Sequence, residues 1–144
     1  MNDSPLQPVA TPEPRLKVAL RWLLAIAMVT VGVTHFTSPD GFVSIVPSFL
    51  PEPLLLVYLS GVAEVAGGVG ILVPRVRRAA GWGLIALYIA VFPANIHMAV
   101  NQVPLGDAQV PAWALWLRLP LQAVFIAWAW WVAAGAERRA RGRA

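Results

Sequence analysis

Four apolar runs, Leu16–Phe36, Pro53–Val73, Ala79–Val100 and Ala112–Ala134, constrain this chain more than anything else in it. At ~1.5 Å of helical rise per residue, each reaches across a hydrocarbon layer of ~30 Å. Lipid offers no hydrogen bonds to a bare backbone, and so few segments cannot close a barrel, so each run is expected to be a helix. A soluble domain of 144 residues, 58% hydrophobic and 12% charged, would lack the charge to cover its surface. The expected fold is therefore an all-α membrane protein, a four-transmembrane-helix bundle over residues 16–135. A proline-rich lead, residues 1–15, and a basic tail, residues 136–144, are expected to lie outside it. The first run is uncharged only from Trp22 to Thr34, so Lys17 and Arg21 are expected to reach towards the headgroups along their aliphatic stems. Its basic start and short apolar middle also fit a signal peptide, but no A-x-A-like site follows, and an anchored helix is the reading adopted.

The charges sort themselves about these runs. Arg15, Lys17 and Arg21 stand at the start of the first; Arg75, Arg77 and Arg78 fill the connection between the second and third; Arg138, Arg139, Arg141 and Arg143 make the tail. The other two connections carry Asp40, Glu52 and Asp107 and no lysine or arginine. Every cation except Arg118 thus falls on one side, which the positive-inside rule makes the cytoplasm, with both termini there. The net charge of +4 then reads as a topology signal touching anionic lipid, and no nucleic-acid partner is expected. Trp22, Trp82, Trp128, Trp130 and Trp131 fall towards the inner interface, and Trp113 and Trp116 towards the outer one, where amphipathic rings prefer to sit. The chain has no cysteine, which excludes disulfides and thiol relays carried by its own residues.

Polar residues interrupt the runs at one depth. The stretch FPANIHMAVNQ, residues 92–102, closes the third run with a proline, two asparagines, a histidine and a glutamine. Counting along spans that alternate in direction, Asn95 and His97 fall in the outer half of the third and His35 near the outer end of the first. Glu64 falls near the middle of the second, and Arg118 and Gln122 in the outer part of the fourth. Ionisable groups at such depth are costly and usually face a bundle interior. Arg118 and Gln122 share one helix face by their spacing, as do Ser60, Glu64 and Gly68. A shared polar pocket in the outer half is therefore expected. Pro93 and Pro120 free the carbonyls of Ile89 and Trp116, which need partners in lipid; Asn95, Gln122 or a bound ligand are the candidates. The loop PDGFVSIVPSFLPEP, too short to span and too apolar for free solution, is expected to lie on the outer interface, as a lid over the pocket or as a plain surface plug. In GVAEVAGGVG, Ala63 with Gly67 and Ala66 with Gly70 offer small surfaces for close helix contact.

Each polar group has a structural and a functional reading. Glu64 is a proton or cation site, a counter-ion, or half of a structural pair with Arg118, and a buried pair is a weak source of net stability. Arg118 clamps an anionic or carbonyl-bearing ligand by its planar fork, or only neutralises Glu64. His97 titrates near neutrality and could move protons, or simply bonds a backbone carbonyl. His35, His97 and Glu64 are the only candidate metal ligands and contain no close-spaced pair, so no metal site is assigned. Asn95 and Gln122 read as interhelical hydrogen-bond partners. With no nucleophile–base set and no paired carboxylates, no catalytic residue is assigned and an enzyme acting alone is disfavoured.

The stretches THFTSPDGFVSIVPSFLP, LSGVAEVAGGVGILVPRVRRAAGWGL, VFPANIHMAV and WLRLPLQ together resemble the DoxX family of small bacterial membrane proteins. The resemblance implies a four-helix protein of the inner membrane, often without assigned activity, with relatives in quinone-linked and other redox pathways. It makes Glu64, Asn95, His97, Arg118 and Gln122 matching pattern positions without an established role. Relatives that carry thiol chemistry need cysteines, which this chain lacks.

Three functions follow as expectations. The first is a binding module whose outer-half pocket, formed by Glu64, Asn95, His97, Arg118, Gln122 and His35, holds a small lipophilic molecule such as a quinone. A redox-enzyme partner, or a second copy of the chain, would then complete the system in the bilayer. The second is a small proton-coupled transporter using Glu64, although no inverted repeat is visible. The third is a structural or assembly protein whose polar groups only fasten helices.

Overall fold

The computed structural model describes residues 13–104 and 109–134. Five helices run in chain order: α1 (Arg15–Thr37), the single turn α2 (Asp40–Val43), α3 (Pro53–Leu72), α4 (Arg77–Asn101) and α5 (Ala112–Ala133). Four of them, α1, α3, α4 and α5, are long and apolar enough to cross a membrane, the pattern of a multi-pass membrane protein. Their surfaces agree, because leucines, valines and tryptophans such as Leu55, Val62, Trp113 and Val124 face outward, the reverse of a water-soluble surface. Residues 1–12, the loop carrying Asp107 and the basic tail with Arg138, Arg139, Arg141 and Arg143 lie outside the described residues.

The expected spans agree with the helices except at α4, which begins at Arg77, so Arg77 and Arg78 belong to its first turn and not to the connection. The cause is local. Arg77 donates from Nε to the Ile71 carbonyl at 2.9 Å and from Nη2 to the Leu72 carbonyl at 3.5 Å, satisfying end carbonyls that α3 leaves open. Both prolines, Pro93 and Pro120, sit inside continuous helices.

Packing follows chain order: α1 lies on α3, α3 on α4, and α4 on α5, whereas α1 and α5 touch sparsely. Glycines set the first of these seams. A Cβ on Gly32 would come within 2.8 Å of the Gly61 carbonyl oxygen, and one on Gly68 within 2.9 Å of the Ala25 carbonyl oxygen. Backbone therefore meets backbone at these two points of the α1–α3 contact, a gain in dispersion that longer side chains would forbid. The small-residue pairs expected in α3 are half used. Gly67 and Gly70 meet Leu84 and Ala80 of α4, while Ala63 and Ala66 are exposed.

Two apolar cores result. The inner core, so termed for the end of the bundle at which α1 begins with Arg15 and α4 with Arg77, joins Leu24, Ala25, Met28, Ile71, Leu84, Ile85, Tyr88, Ala129 and Val132. The outer one joins Ile45 of the loop after α2 with Met98, Ala99 and Leu115. The Trp128 ring packs against the inner core, and its indole nitrogen is buried without a hydrogen-bond partner.

Candidate functional site

The α1–α3 seam brings His35 against Glu64. The imidazole is buried, and Nδ1 stands 2.9 Å from the Val31 carbonyl oxygen and 3.3 Å from Glu64 Oε2. Both neighbours are acceptors when the carboxyl is ionised, so the ring hydrogen belongs on Nδ1, directed at Val31 one turn earlier. That direction explains why Glu64 Oε2, itself buried, makes no hydrogen bond of its own. Phe42 of α2 closes the pair from outside, its ring stacked on His35 at 3.9 Å between centroids. Glu64 thus presents a carboxylate oxygen with unused accepting capacity, a costly condition inside a bilayer.

On the α4–α5 seam a second polar set satisfies itself. Asn95 donates from Nδ2 to Gln122 Oε1 at 2.7 Å, and Gln122 donates from Nε2 to the Tyr88 carbonyl. Pro93 lacks the N–H that would close on the Ile89 carbonyl, so Ile89 is the acceptor expected to need a partner in this region. The acceptor used is Tyr88, one residue before the Ile89 carbonyl that proline geometry singles out. The Tyr88 hydroxyl points the other way and donates to Met28 Sδ at 3.0 Å.

His97 and the outer loop form a third unit. His97 Nδ1 lies 3.2 Å from the Ile45 carbonyl oxygen, and Ile45 is itself buried in the outer core. Ser44 Oγ reaches the Gly41 and Pro104 carbonyls at 2.9 and 3.4 Å. The loop is therefore fastened down as a lid over the His35–Glu64 pair, with Phe49 left exposed at its tip.

Arg118 stands apart. It is exposed, and no nitrogen of it comes within 4.0 Å of the Glu64 carboxylate, although the two remain within electrostatic reach. Its position follows from how α5 meets α1. Arg118, Phe125 and Val132 recur every second turn and form one flank of α5. Val132 is fully buried, Phe125 is 37% exposed and Arg118 is exposed. The flank is thus closed at its inner end, meets Tyr88 of α4 through Phe125 with ring centroids 6.1 Å apart, and is exposed at Arg118. Of the six expected site residues, direct contacts join His35 with Glu64 and Asn95 with Gln122, while His97 bonds the outer loop and Arg118 stands on the flank of α5.

One polar cluster was not foreseen. Arg21, expected to reach for headgroups, is instead buried at the inner end. Its guanidinium grips Glu13 with two hydrogen bonds, 3.0 and 2.9 Å, and donates to the Val132 carbonyl at 3.3 Å. This grip closes α1 against α5 at that end, with Lys17 lying 5.6 Å from the Trp131 ring centroid beside it. Glu13 also draws Arg77 to 4.0 Å. The Arg21 guanidinium hydrogen-bonded to Glu13 holds that carboxyl below its ordinary value of 4.5, against partial burial, which acts the other way. The sequence signal was available: a carboxylate set just ahead of the basic first turn of α1. Among the described residues, no group of three or more His, Asp or Glu is arranged to hold a metal ion.

A family model described as a domain of unknown function, DUF8561, matches residues 24–133, and the chain belongs to that family. Comparison with curated proteins and with solved structures gives no match.

Proposed function

We propose that this DUF8561 member is a bacterial inner-membrane protein, both termini cytoplasmic, that binds a small lipophilic molecule with a polar head. The ligand class is that of a quinone, and the protein serves as an accessory to a redox system. The observation that carries this reading is a buried, unbonded Glu64 Oε2 within electrostatic reach of an exposed Arg118 on α5. A carboxylate that accepts and a guanidinium that donates suit a head group bearing both a hydroxyl and a carbonyl. Arg118 is exposed on the apolar surface of the bundle, the side from which a lipid-dissolved molecule would approach. The resemblance to DoxX proteins supports the redox association, and the side on which the cations gather supports the orientation.

Thermal unfolding of the full-length protein in detergent, with and without a short-chain ubiquinone analogue, tests it. Saturation at about a hundredfold excess over Kd stabilises by about 2.7 kcal/mol. The wild type is expected to show that rise, and Arg118→Leu and Glu64→Gln to lose most of it. A wild type indifferent to the quinone, or variants that respond as it does, would overturn the reading.

A second reading rests on the His35–Glu64 contact. An imidazole and a carboxylate sharing one approach inside the bilayer can exchange a proton, as a proton-coupled carrier requires. Proton uptake by proteoliposomes that is unchanged in Glu64→Gln would remove it.

A further inference from the structure

The segment between α1 and α3 is held over the His35–Glu64 pair by a few identifiable contacts. Phe42 of α2 stacks on the His35 ring at 3.9 Å between centroids. Ile45 is 6% exposed and belongs to the outer core, and its carbonyl oxygen lies 3.2 Å from His97 Nδ1. Ser44 Oγ lies 3.4 Å from the Pro104 carbonyl oxygen. The turn α2 itself has no buried residue. Beneath it, Glu64 Oε2 is buried with no hydrogen-bond partner. Side chains lean towards the N-terminus of their helix, so the carboxylate is inclined to the end of α3 that the segment covers.

The same segment enters α3 through a strained residue. Glu52 has φ 50° and ψ 58°, in the left-handed region, with Pro53 directly after it. A non-glycine side chain resists that conformation, and a following proline ring drives the residue before it towards extended backbone. The Glu52 side chain is exposed and makes no capping hydrogen bond to offset the strain. Strain of this kind persists only where surrounding contacts impose it. Here those contacts are Phe42 on His35, Ile45 in the outer core and His97 on the Ile45 carbonyl.

We infer that this segment is a hinged gate: Phe42 seals the His35–Glu64 pair from the outer face, and Glu52 is the hinge whose return to extended backbone favours opening. Opening lifts Phe42 from the imidazole and admits water to the free oxygen of Glu64. Closure recovers the burial of Ile45 and the stacking of Phe42, and loads the hinge again. Two opposed terms, contacts at one end of the segment and backbone strain at the other, are what a gate needs to populate both positions. The gate deepens the proton-carrier reading and rests on it for what crosses: a proton exchanged between Glu64 and water on the outer side. Access to Glu64 and proton uptake are separate readouts, so failure of the gate and failure of the carrier can be told apart.

The test uses the full-length protein in nanodiscs, treated with a water-soluble carbodiimide and glycine ethyl ester, with coupling at each carboxyl followed by peptide mapping. Asp40, exposed on α2, is the reference against which coupling at Glu64 is scaled. Glu52→Gly removes the hinge strain and should slow coupling at Glu64 about three- to tenfold. Glu52→Val, whose branched side chain tolerates the left-handed region least, should speed it by a similar factor, and Phe42→Ala should speed it as well. Amide exchange over residues 41–46 should shift by about the same factor as coupling in each Glu52 variant. Equal coupling at Glu64 in Glu52→Gly, wild type and Glu52→Val would overturn the gate. So would amide exchange that shifts while coupling does not, because Glu64 would then be reached by another route. No coupling at Glu64 even in Phe42→Ala would overturn it too.

Discussion

Gly32→Ala isolates the contact on which the geometry of the His35–Glu64 pair depends. The new methyl carbon would lie 2.8 Å from the Gly61 carbonyl oxygen, 2.8 Å from Val65 Cγ2 and 3.0 Å from the Val65 backbone nitrogen. Two of these are backbone atoms that no rotamer change can move, so α1 and α3 must part by several tenths of an ångström. Forced overpacking of this kind costs about 1–3 kcal/mol. Replacing a helical glycine by alanine returns about 0.5–1 kcal/mol, leaving a net loss of about 0–2.5 kcal/mol. Gly83→Ala is the internal control, because a Cβ there meets nothing within 4 Å; it should stabilise by the propensity gain alone. The difference between the two variants therefore reports the seam, at about 1–3 kcal/mol. The assay is reversible unfolding in mixed micelles titrated with a denaturing detergent, followed by far-UV circular dichroism. If Gly32→Ala proves as stable as Gly83→Ala, the backbone-to-backbone contact is not what holds α1 on α3.

Further outcomes follow from the other contacts. Gln122→Leu deprives both Asn95 and the Tyr88 carbonyl of a partner, and at ~0.6–1.7 kcal/mol per interhelical bond it should cost about 1–3 kcal/mol. A double-mutant cycle with Asn95→Leu, read by the same unfolding assay, should return a coupling in the single-bond range. Glu13 is held below its ordinary value by Arg21, so its contribution is full above the unfolded carboxylate range and is lost as pH falls through the lowered folded value. Thermal scans between neutrality and strong acid should therefore show an acid-side loss that Glu13→Gln abolishes. His97→Ala removes the tether to Ile45; at about 0.5–1.5 kcal/mol for one such bond, amide exchange over residues 41–46 should rise two- to tenfold.

The spans were legible because uninterrupted apolar length is all that a bilayer asks of a helix. Relative height along each helix followed as well, since helical rise converts residue number into distance along the axis. Azimuth did not. Whether Glu64 meets His35 or Arg118 depends on how α1 crosses α3, and that crossing is set by Gly32, Gly61 and Gly68 meeting carbonyls of the facing helix, which spacing on one strand of sequence does not reveal. The Ala63–Gly67 spacing pointed at close contact and half of it was used, because α3 has two neighbours and divides its glycines between them. Arg21 was misjudged for a related reason: burial of a charged group depends on its partner, and Glu13 belonged to a segment that reads as an unstructured lead. Trp128 differs from Trp130 and Trp131 only by its place on the turn facing the inner core.

Photolabelling with an azido-quinone addresses the proposed site most directly. In membranes carrying the full-length protein, illumination followed by peptide mapping should place the label on the flank of α5, around Arg118 and Phe125, and on α3 near Glu64. Excess unlabelled quinone should compete it away, and Arg118→Leu, folded to the same melting temperature, should lose it. Label spread evenly over the exposed leucines and tryptophans of all the spans, or undiminished in Arg118→Leu, would contradict the account and leave the polar groups as fastenings between helices.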